Sequence, residues 1–354
     1  MGEGGSFRLD LLRLFLVAQV VLGHYAMLAY PPFGQLDMGQ PDQLFAALFR
    51  LGTQFGPQAA VVFVAMSGFF LVPRLAAIAR APAANSGLAR FLGGRLRRIY
   101  PTLVAAILLT ALSDRLSTML PGGRALMRNA VEFDLAGDSS WQVALGNLLS
   151  LQPTFSPSFG SNGPLWTLGY IVQFYLVGAA LAAAWRKSPV LAALLALALC
   201  LAAAVWRLEW LVLFAAWAGC GLLASWRCRG GLMIAGVLAV GMVLFVVAAV
   251  LPQFPAAIVA ALASLPLVTA LASTWPGDAR RRNPMPAVLR EATFPIYAFH
   301  FPLAVLALVL LLPWRAGSPV AFTYAWPVVA LALMLPIALG WQVLLVRLSR
   351  KGAS

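Results

Sequence analysis

Charge is what this sequence has least of. Only 10% of its 354 residues are Asp, Glu, Lys or Arg, against about 25% in an ordinary soluble domain. A water-soluble globule of this size is excluded, because it could not cover its own surface, and so is a disordered chain. Cysteine is nearly as scarce. Cys200, Cys220 and Cys228 lie in or beside apolar stretches, with neither metal-ligand spacing nor the even count of a disulfide framework. Two histidines in the whole chain exclude a His-rich metal cluster, so no metal and no permanently bound cofactor is expected. Acidic residues are also few, 11 against 25 basic ones, for a net charge of +14. In a soluble chain that excess would suggest nucleic acid. Here the placement of the basic residues reports topology instead, and no nucleic-acid partner is expected.

What the sequence has in abundance is apolar: 62% of residues, with a mean hydropathy of +0.87. Runs long enough to cross about 30 Å of hydrocarbon recur along the chain. They are expected near 10–30, 56–79, 98–113, 164–184, 189–206, 209–226, 232–251, 255–273, 293–313 and 322–346. The third is short, and only Trp206, Arg207, Leu208 and Glu209 divide the fifth from the sixth. The fold class is therefore an all-α polytopic membrane protein of about ten transmembrane helices. It is read as one membrane-embedded domain over residues 1–351, with no separate soluble domain.

With the N-terminus placed in the cytoplasm, the inner side collects Arg8, Arg13, Arg74, Arg80, Arg90, Arg95, Arg97, Arg98, Arg186, Lys187, Arg227 and Arg229. Arg280, Arg281, Arg282, Arg290, Arg347, Arg350 and Lys351 complete that set. The outer side keeps only Arg50, Arg115, Arg124, Arg128, Arg207 and Arg315. This alternation follows the positive-inside rule and predicts that both termini are cytoplasmic. A cell inner (plasma) membrane is the expected location. The first run carries Asp10 and Arg13 and lacks a small-residue cleavage site, so no signal peptide is read there. The loose N-myristoylation pattern at Gly2 would add little to a chain with ten spans.

The longest stretch outside the membrane, about 113–163, holds Asp114, Glu132, Asp134 and Asp138, then a Pro/Ser/Gly-rich run from Pro153 to Pro164. It is expected to cap the outer face, with a short interfacial helix from Trp141 to Leu151. Loops of this length are usually functional or disordered.

Ionisable groups inside a span are costly, and each is a functional candidate. The first span holds Asp10, Arg13 and His24. Eleven residues separate Arg13 from His24, about 1100° of helix or roughly 20° past three turns, so the two share one stripe about 16 Å apart along the axis. Asp10 and Arg13, at i and i+3, can partly neutralise each other. A histidine in an apolar helix suits proton removal from a hydroxyl as a general base, though snorkelling to outer water is the plain alternative. At the inner mouth of the third span, Arg95 and Arg98 (i, i+3) suit a phosphate-bearing anion, although positive-inside topology alone would also place arginines there. Ser67–Gly68 would let another backbone approach closely. Trp166 and Tyr170 fall at the outer end of the fourth span, where aromatic belts are common. His300 sits in the proline-interrupted run from Phe294 to Pro302, near mid-membrane, where a satisfied core histidine and a cavity-lining one are both open.

Taken together, the segments from about Phe7 to Val305 resemble the acyltransferase-3 family of integral membrane O-acyltransferases. Arg13 and His24 match its Arg-x10-His element. The run from Phe63 to Phe70 resembles its Phe-Ser-Gly-Phe segment, and Arg95 to Pro101 its Arg-x-x-Arg element. Asn147 to Gln152 and Gly163 to Tyr170 follow in the family's order, and Phe294 to His300 resembles its late Tyr-x-x-His element. The resemblance implies transfer of an acyl group, usually acetyl, from cytoplasmic acyl-CoA to a hydroxyl of an extracytoplasmic carbohydrate or glycoconjugate. Family acceptors include O-antigen, exopolysaccharide, peptidoglycan and glycosylated small molecules. It makes His24 the catalytic base supported by Arg13 and Asp10, gives Arg95 and Arg98 the donor, and leaves Ser67, Trp166, Tyr170, Gln173 and His300 as pocket candidates. One departure stands out. Many members carry a glutamate after the Trp-Thr/Ser-Leu element, whereas this chain has Ile171 and Val172, with Gln173 the nearest polar group. A divergent acceptor, a stand-in by Asp10 or Gln173, or loss of catalysis would each account for it. The competing function classes are a transporter or flippase for a glycolipid or hydrophobic solute, and a non-catalytic acyltransferase-like protein.

Overall fold

The computed structural model describes residues 3–81, 84–129, 134–226, 228, 230–273 and 284–351. Glu132, Arg227, Arg229, Arg280, Arg281 and Arg282, which entered the charge reading above, lie outside the described residues, as do the side chains of Arg350 and Lys351. The chain is 84% helical and, among the described residues, contains no sheet. The helices in chain order are α1 (Glu3–Ala29), α2 (Pro41–Thr53), α3 (Gly56–Arg80), α4 (Ala84–Met119), α5 (Gly123–Asn129), α6 (Trp141–Leu148) and α7 (Trp166–Lys187). There follow α8 (Pro189–Trp206), α9 (Leu208–Leu222), α10 (Gly231–Ala248), α11 (Gln253–Ala272), α12 (Ala287–Leu310), α13 (Leu312–Gly317) and α14 (Pro319–Lys351). Among the described residues ten helical segments are long and apolar enough to cross a membrane, as the hydropathy pattern predicts.

The boundaries differ from expectation where charge or proline misleads hydropathy. The third span was expected over 98–113, but α4 runs for 36 residues and passes through Pro101 without a break. Arginine is a good helix former, so the basic stretch before Ile99 extends the helix rather than ending it. Arg95 and Arg98 thus do sit on a formed helix. The thin division at Trp206 to Glu209 holds: Arg207 leaves helical geometry (φ −148°, ψ 74°) between α8 and α9. The interfacial helix expected from Trp141 to Leu151 is shorter, closing at Leu148, and α2, α5 and α13 were not anticipated.

The chain divides into two compact units. The first comprises residues 1–13, 57–100 and 167–284, and the second 14–56, 101–166 and 285–354. In the first, α11 packs on both α9 and α10, and α8 packs on α9. Here Ser67–Gly68 does what the sequence suggested. A Cβ on Gly68 would overlap the Trp217 carbonyl, and one on Gly221 would come within 2.8 Å of the Gly68 carbonyl, so α3 and α9 meet backbone to backbone. Arg8 closes the C-terminus of α11, its Nε donating to the Leu271 carbonyl at 3.0 Å and its Nη2 to that of Ser273.

In the second unit α14 packs against α12 and α2. Two prolines shape it. Proline has no N–H, so the carbonyl four residues earlier loses its helical donor and must find another inside a membrane. Pro302 frees the Ala298 carbonyl, which accepts from Asn162 Nδ2 at 3.0 Å. Pro327 frees the Thr323 carbonyl, which accepts from the Tyr30 hydroxyl at 2.8 Å. The C-terminus of α1 is capped by two arginines of this unit: Arg315 Nη2 donates to Ala29 and Arg50 Nη2 to Tyr30, at 3.1 and 2.6 Å.

Candidate active site

The first unit gathers a cationic cluster. Asp10 and Arg13 pair along one turn of α1, with 3.4 Å between Arg13 Nη1 and Asp10 Oδ1, and the Arg13 guanidinium lies over the Phe70 ring at 5.6 Å. Tyr175 of α7 is buried, hydrogen-bonds Ser67, and stands within electrostatic reach of Arg13, Arg95 and Arg98. Arg95 in turn is within that reach of Arg74 and Arg98, and its guanidinium lies over Phe91 at 5.7 Å. Ser67, Arg13, Arg95 and Arg98, four candidates from three helices, therefore converge on one phenol that the sequence reading did not single out. The signal for it was present: a tyrosine well inside an apolar span must give its hydroxyl a partner. Like charges crowded in this way favour a bound polyanion, and planar guanidiniums suit phosphate.

Two other candidates of this unit lie elsewhere in it. Gln173 Oε1 accepts from Trp210 Nε1 at 3.0 Å. Tyr170 is only 1% exposed and stacks on Phe174, so the aromatic-belt expectation does not describe it; the ring belongs to a cluster continued by Trp210, Phe214 and Trp217. Glu209 faces the Tyr170 hydroxyl within electrostatic reach, which brings a carboxylate near a stretch that has no glutamate of its own.

The second unit joins the chain's two histidines. His24 Nδ1 and His300 Nε2 are 2.8 Å apart, although 276 positions separate them in sequence. The ring centroids are 5.1 Å apart with the planes 15° from parallel. That separation is the bond length plus one ring radius on each side, so the imidazoles lie edge to edge and nearly coplanar rather than face to face. The bond is in the ring plane, where a nitrogen lone pair points. His300 is fully buried, and its Nδ1 contacts the Tyr297 carbonyl at 2.6 Å, one turn earlier on α12. A carbonyl only accepts, so Nδ1 of His300 carries the proton and its Nε2 is the acceptor. His24 Nδ1–H then donates to it, and the lone pair of His24 resides on Nε2. Of the two readings left open for His300, the structure joins it to His24.

Both histidines are held in place. Phe301 meets His24 edge-on at 5.1 Å and His300 at 6.1 Å. The Tyr297 hydroxyl donates to the Pro164 carbonyl at 2.7 Å, and Asn162 fastens the Ala298 carbonyl, so the loop before α7 grips the turn of α12 that carries His300. Trp166, partly exposed, begins α7 right after this loop. Among the described residues no group of His, Cys, Asp and Glu side chains could hold a metal ion.

No curated protein and no solved structure matches the chain. Residues 7–346, nearly its whole length, match the acyltransferase domain model of the acyltransferase-3 family, and the chain belongs to that family of membrane acyltransferases.

Proposed function

We propose that this protein moves an acyl group, acetyl in the first instance, from cytoplasmic acyl-CoA to a hydroxyl of an extracytoplasmic carbohydrate or glycoconjugate. The observation that carries the reading is the chain Tyr297 carbonyl, His300, His24, which fixes the tautomer of His24 and leaves a basic nitrogen at Nε2. A neutral imidazole in that state is the general base an alcohol needs to become a nucleophile. The acceptor O–H gives its proton to His24 Nε2, the oxygen attacks the thioester carbonyl, the C–S bond breaks, and the CoA thiolate leaves and recovers the proton. His300 keeps the positive charge that develops on His24 delocalised across a hydrogen bond. Donor recognition is assigned to Arg95 and Arg98, assisted by Arg13 with Asp10 and by Tyr175, because CoA brings phosphates that match guanidinium forks.

The test uses membranes containing the full chain, radiolabelled acetyl-CoA and a panel of glycans. A base-labile labelled ester on a glycan supports the reading. Movement of unmodified solute across the bilayer, with no ester formed, would instead identify a carrier.

A further inference from the structure

A lone arginine at a membrane rim can snorkel to water, but several that converge on one place call for an anion. One such place lies in the second unit. The chain reverses at Gly122, whose φ is +75°, and a Cβ on Gly123 would overlap the Ser117 carbonyl, so α5 folds back against the end of α4. That turn sets Arg124 and Arg128, at i and i+4 on α5, beside Arg115 of α4, and the three line one cleft of about 430 Å³. They are half of the six arginines that the charge reading places on the outer side. All three are exposed, and none closes an ion pair among the described residues. Arg124 gives its Nε to the Thr118 carbonyl at 3.1 Å. The acids among and beside the lining residues are engaged elsewhere. Oδ1 of Asp134 and of Asp138 accept the N–H groups of Gly137 and Ser140, and Oδ2 of Asp114 accepts that of Ser161.

The face of α4 that leads up to Arg115 is apolar and turned away from the protein. Leu108 and Val104, 65% and 40% exposed, precede Arg115 by seven and eleven residues. Those spacings are about 20° short of two turns and about 20° past three, so the three side chains share one stripe about 16 Å long. That is roughly the depth of one leaflet, half of about 30 Å of hydrocarbon. An exposed aliphatic stripe on a membrane span lies against acyl chains, and this one ends at the arginines.

We infer that the cleft seats the headgroup of an anionic phospholipid. Arg115, Arg124 and Arg128 share its phosphate, and one acyl chain runs along Leu108 and Val104. A soluble phosphate would meet the guanidiniums and leave the stripe unused. A zwitterionic lipid would bring its own cation into a cleft that is already cationic. The lipid held in this way bridges α4 and α5, and so stabilises the folded chain by mass action.

The test uses the full chain, purified in detergent and stripped of lipid, and counts bound lipids by native mass spectrometry after adding phosphatidylglycerol or phosphatidylcholine. The triple variant Arg115→Gln/Arg124→Gln/Arg128→Gln should hold one phosphatidylglycerol fewer than the wild type, with its phosphatidylcholine count unchanged. Arg128→Gln removes no side-chain hydrogen bond among the described residues, and it decides the matter if the triple variant fails to fold. Alone it should weaken that phosphatidylglycerol by about fivefold, the worth of one basic residue beside anionic lipid. Phosphatidylglycerol should also raise the midpoint of thermal unfolding more in the wild type than in Arg128→Gln. Arg207→Gln, which removes an exposed arginine at the start of α9, should leave the lipid count as it is. Excess inorganic phosphate should not displace the lipid. An unchanged phosphatidylglycerol count in a folded triple variant would overturn the proposal, as would unchanged affinity in Arg128→Gln. An equal loss of phosphatidylcholine would overturn it by showing that the charge of the headgroup is not read. Displacement by inorganic phosphate would overturn it by making this a site for a soluble anion.

Discussion

The chemistry at the residue scale turns on where one proton sits. His24 has a basic Nε2 because its Nδ1–H donates to His300 Nε2, and His300 accepts there because the Tyr297 carbonyl holds the His300 proton on Nδ1. His24→Ala should lower ester formation by about 10²–10⁴-fold, the usual contribution of a general base, while the protein still inserts in membranes. His300→Leu should also impair transfer. His300→Gln should recover part of the loss, because its amide oxygen can accept from His24 Nδ1–H. A role for His300 in packing alone predicts the reverse, since leucine is the better core residue. Arg98→Ala addresses the donor end: it should raise the KM for acyl-CoA about tenfold or more with little change in kcat, in keeping with about 1.5–3 kcal/mol for a hydrogen bond to a charged group.

Helices here are joined by backbone groups that proline and glycine expose. Asn162 replaces the donor that Pro302 removes from the Ala298 carbonyl, and this bond ties the loop before α7 to the turn that bears His300. Asn162→Ala should cost about 1–3 kcal/mol, the penalty of a buried unsatisfied group, read as a lower midpoint of thermal unfolding in detergent. Pro302→Ala restores an N–H at that position. In that background the cost of Asn162→Ala should shrink, and strict additivity of the two substitutions would disprove the account. At the α3–α9 contact no repacking can absorb a side chain, since Gly68 faces the Trp217 backbone; Gly68→Val should greatly reduce the yield of folded protein.

For the whole molecule, the arginine distribution implies an orientation that labelling can check. Gln142, in the first turn of α6, and Lys187, at the end of α7, are exposed and fall on opposite sides of the membrane if both termini are cytoplasmic. With Cys200, Cys220 and Cys228 replaced, a membrane-impermeant maleimide should label Gln142→Cys on intact cells. It should reach Lys187→Cys only after permeabilisation. The opposite pattern would invert the topology.

The ten spans and the ordered motifs were legible in the sequence, because the free energy of moving a segment into lipid is nearly a sum over its own residues. The same local logic placed Asp10 beside Arg13 and put Arg95 and Arg98 on one helix. It failed at the edges of α4, where arginines read as a boundary continue the helix. Spacing could not pair His24 with His300, choose Tyr175 over Tyr170 as the phenol among the arginines, or hand the Ala298 carbonyl to Asn162. Those assignments depend on which helices become neighbours. That is decided by small-residue contacts, such as Gly68 on Trp217, and by the need of every buried polar atom for a partner, wherever in the chain it comes from.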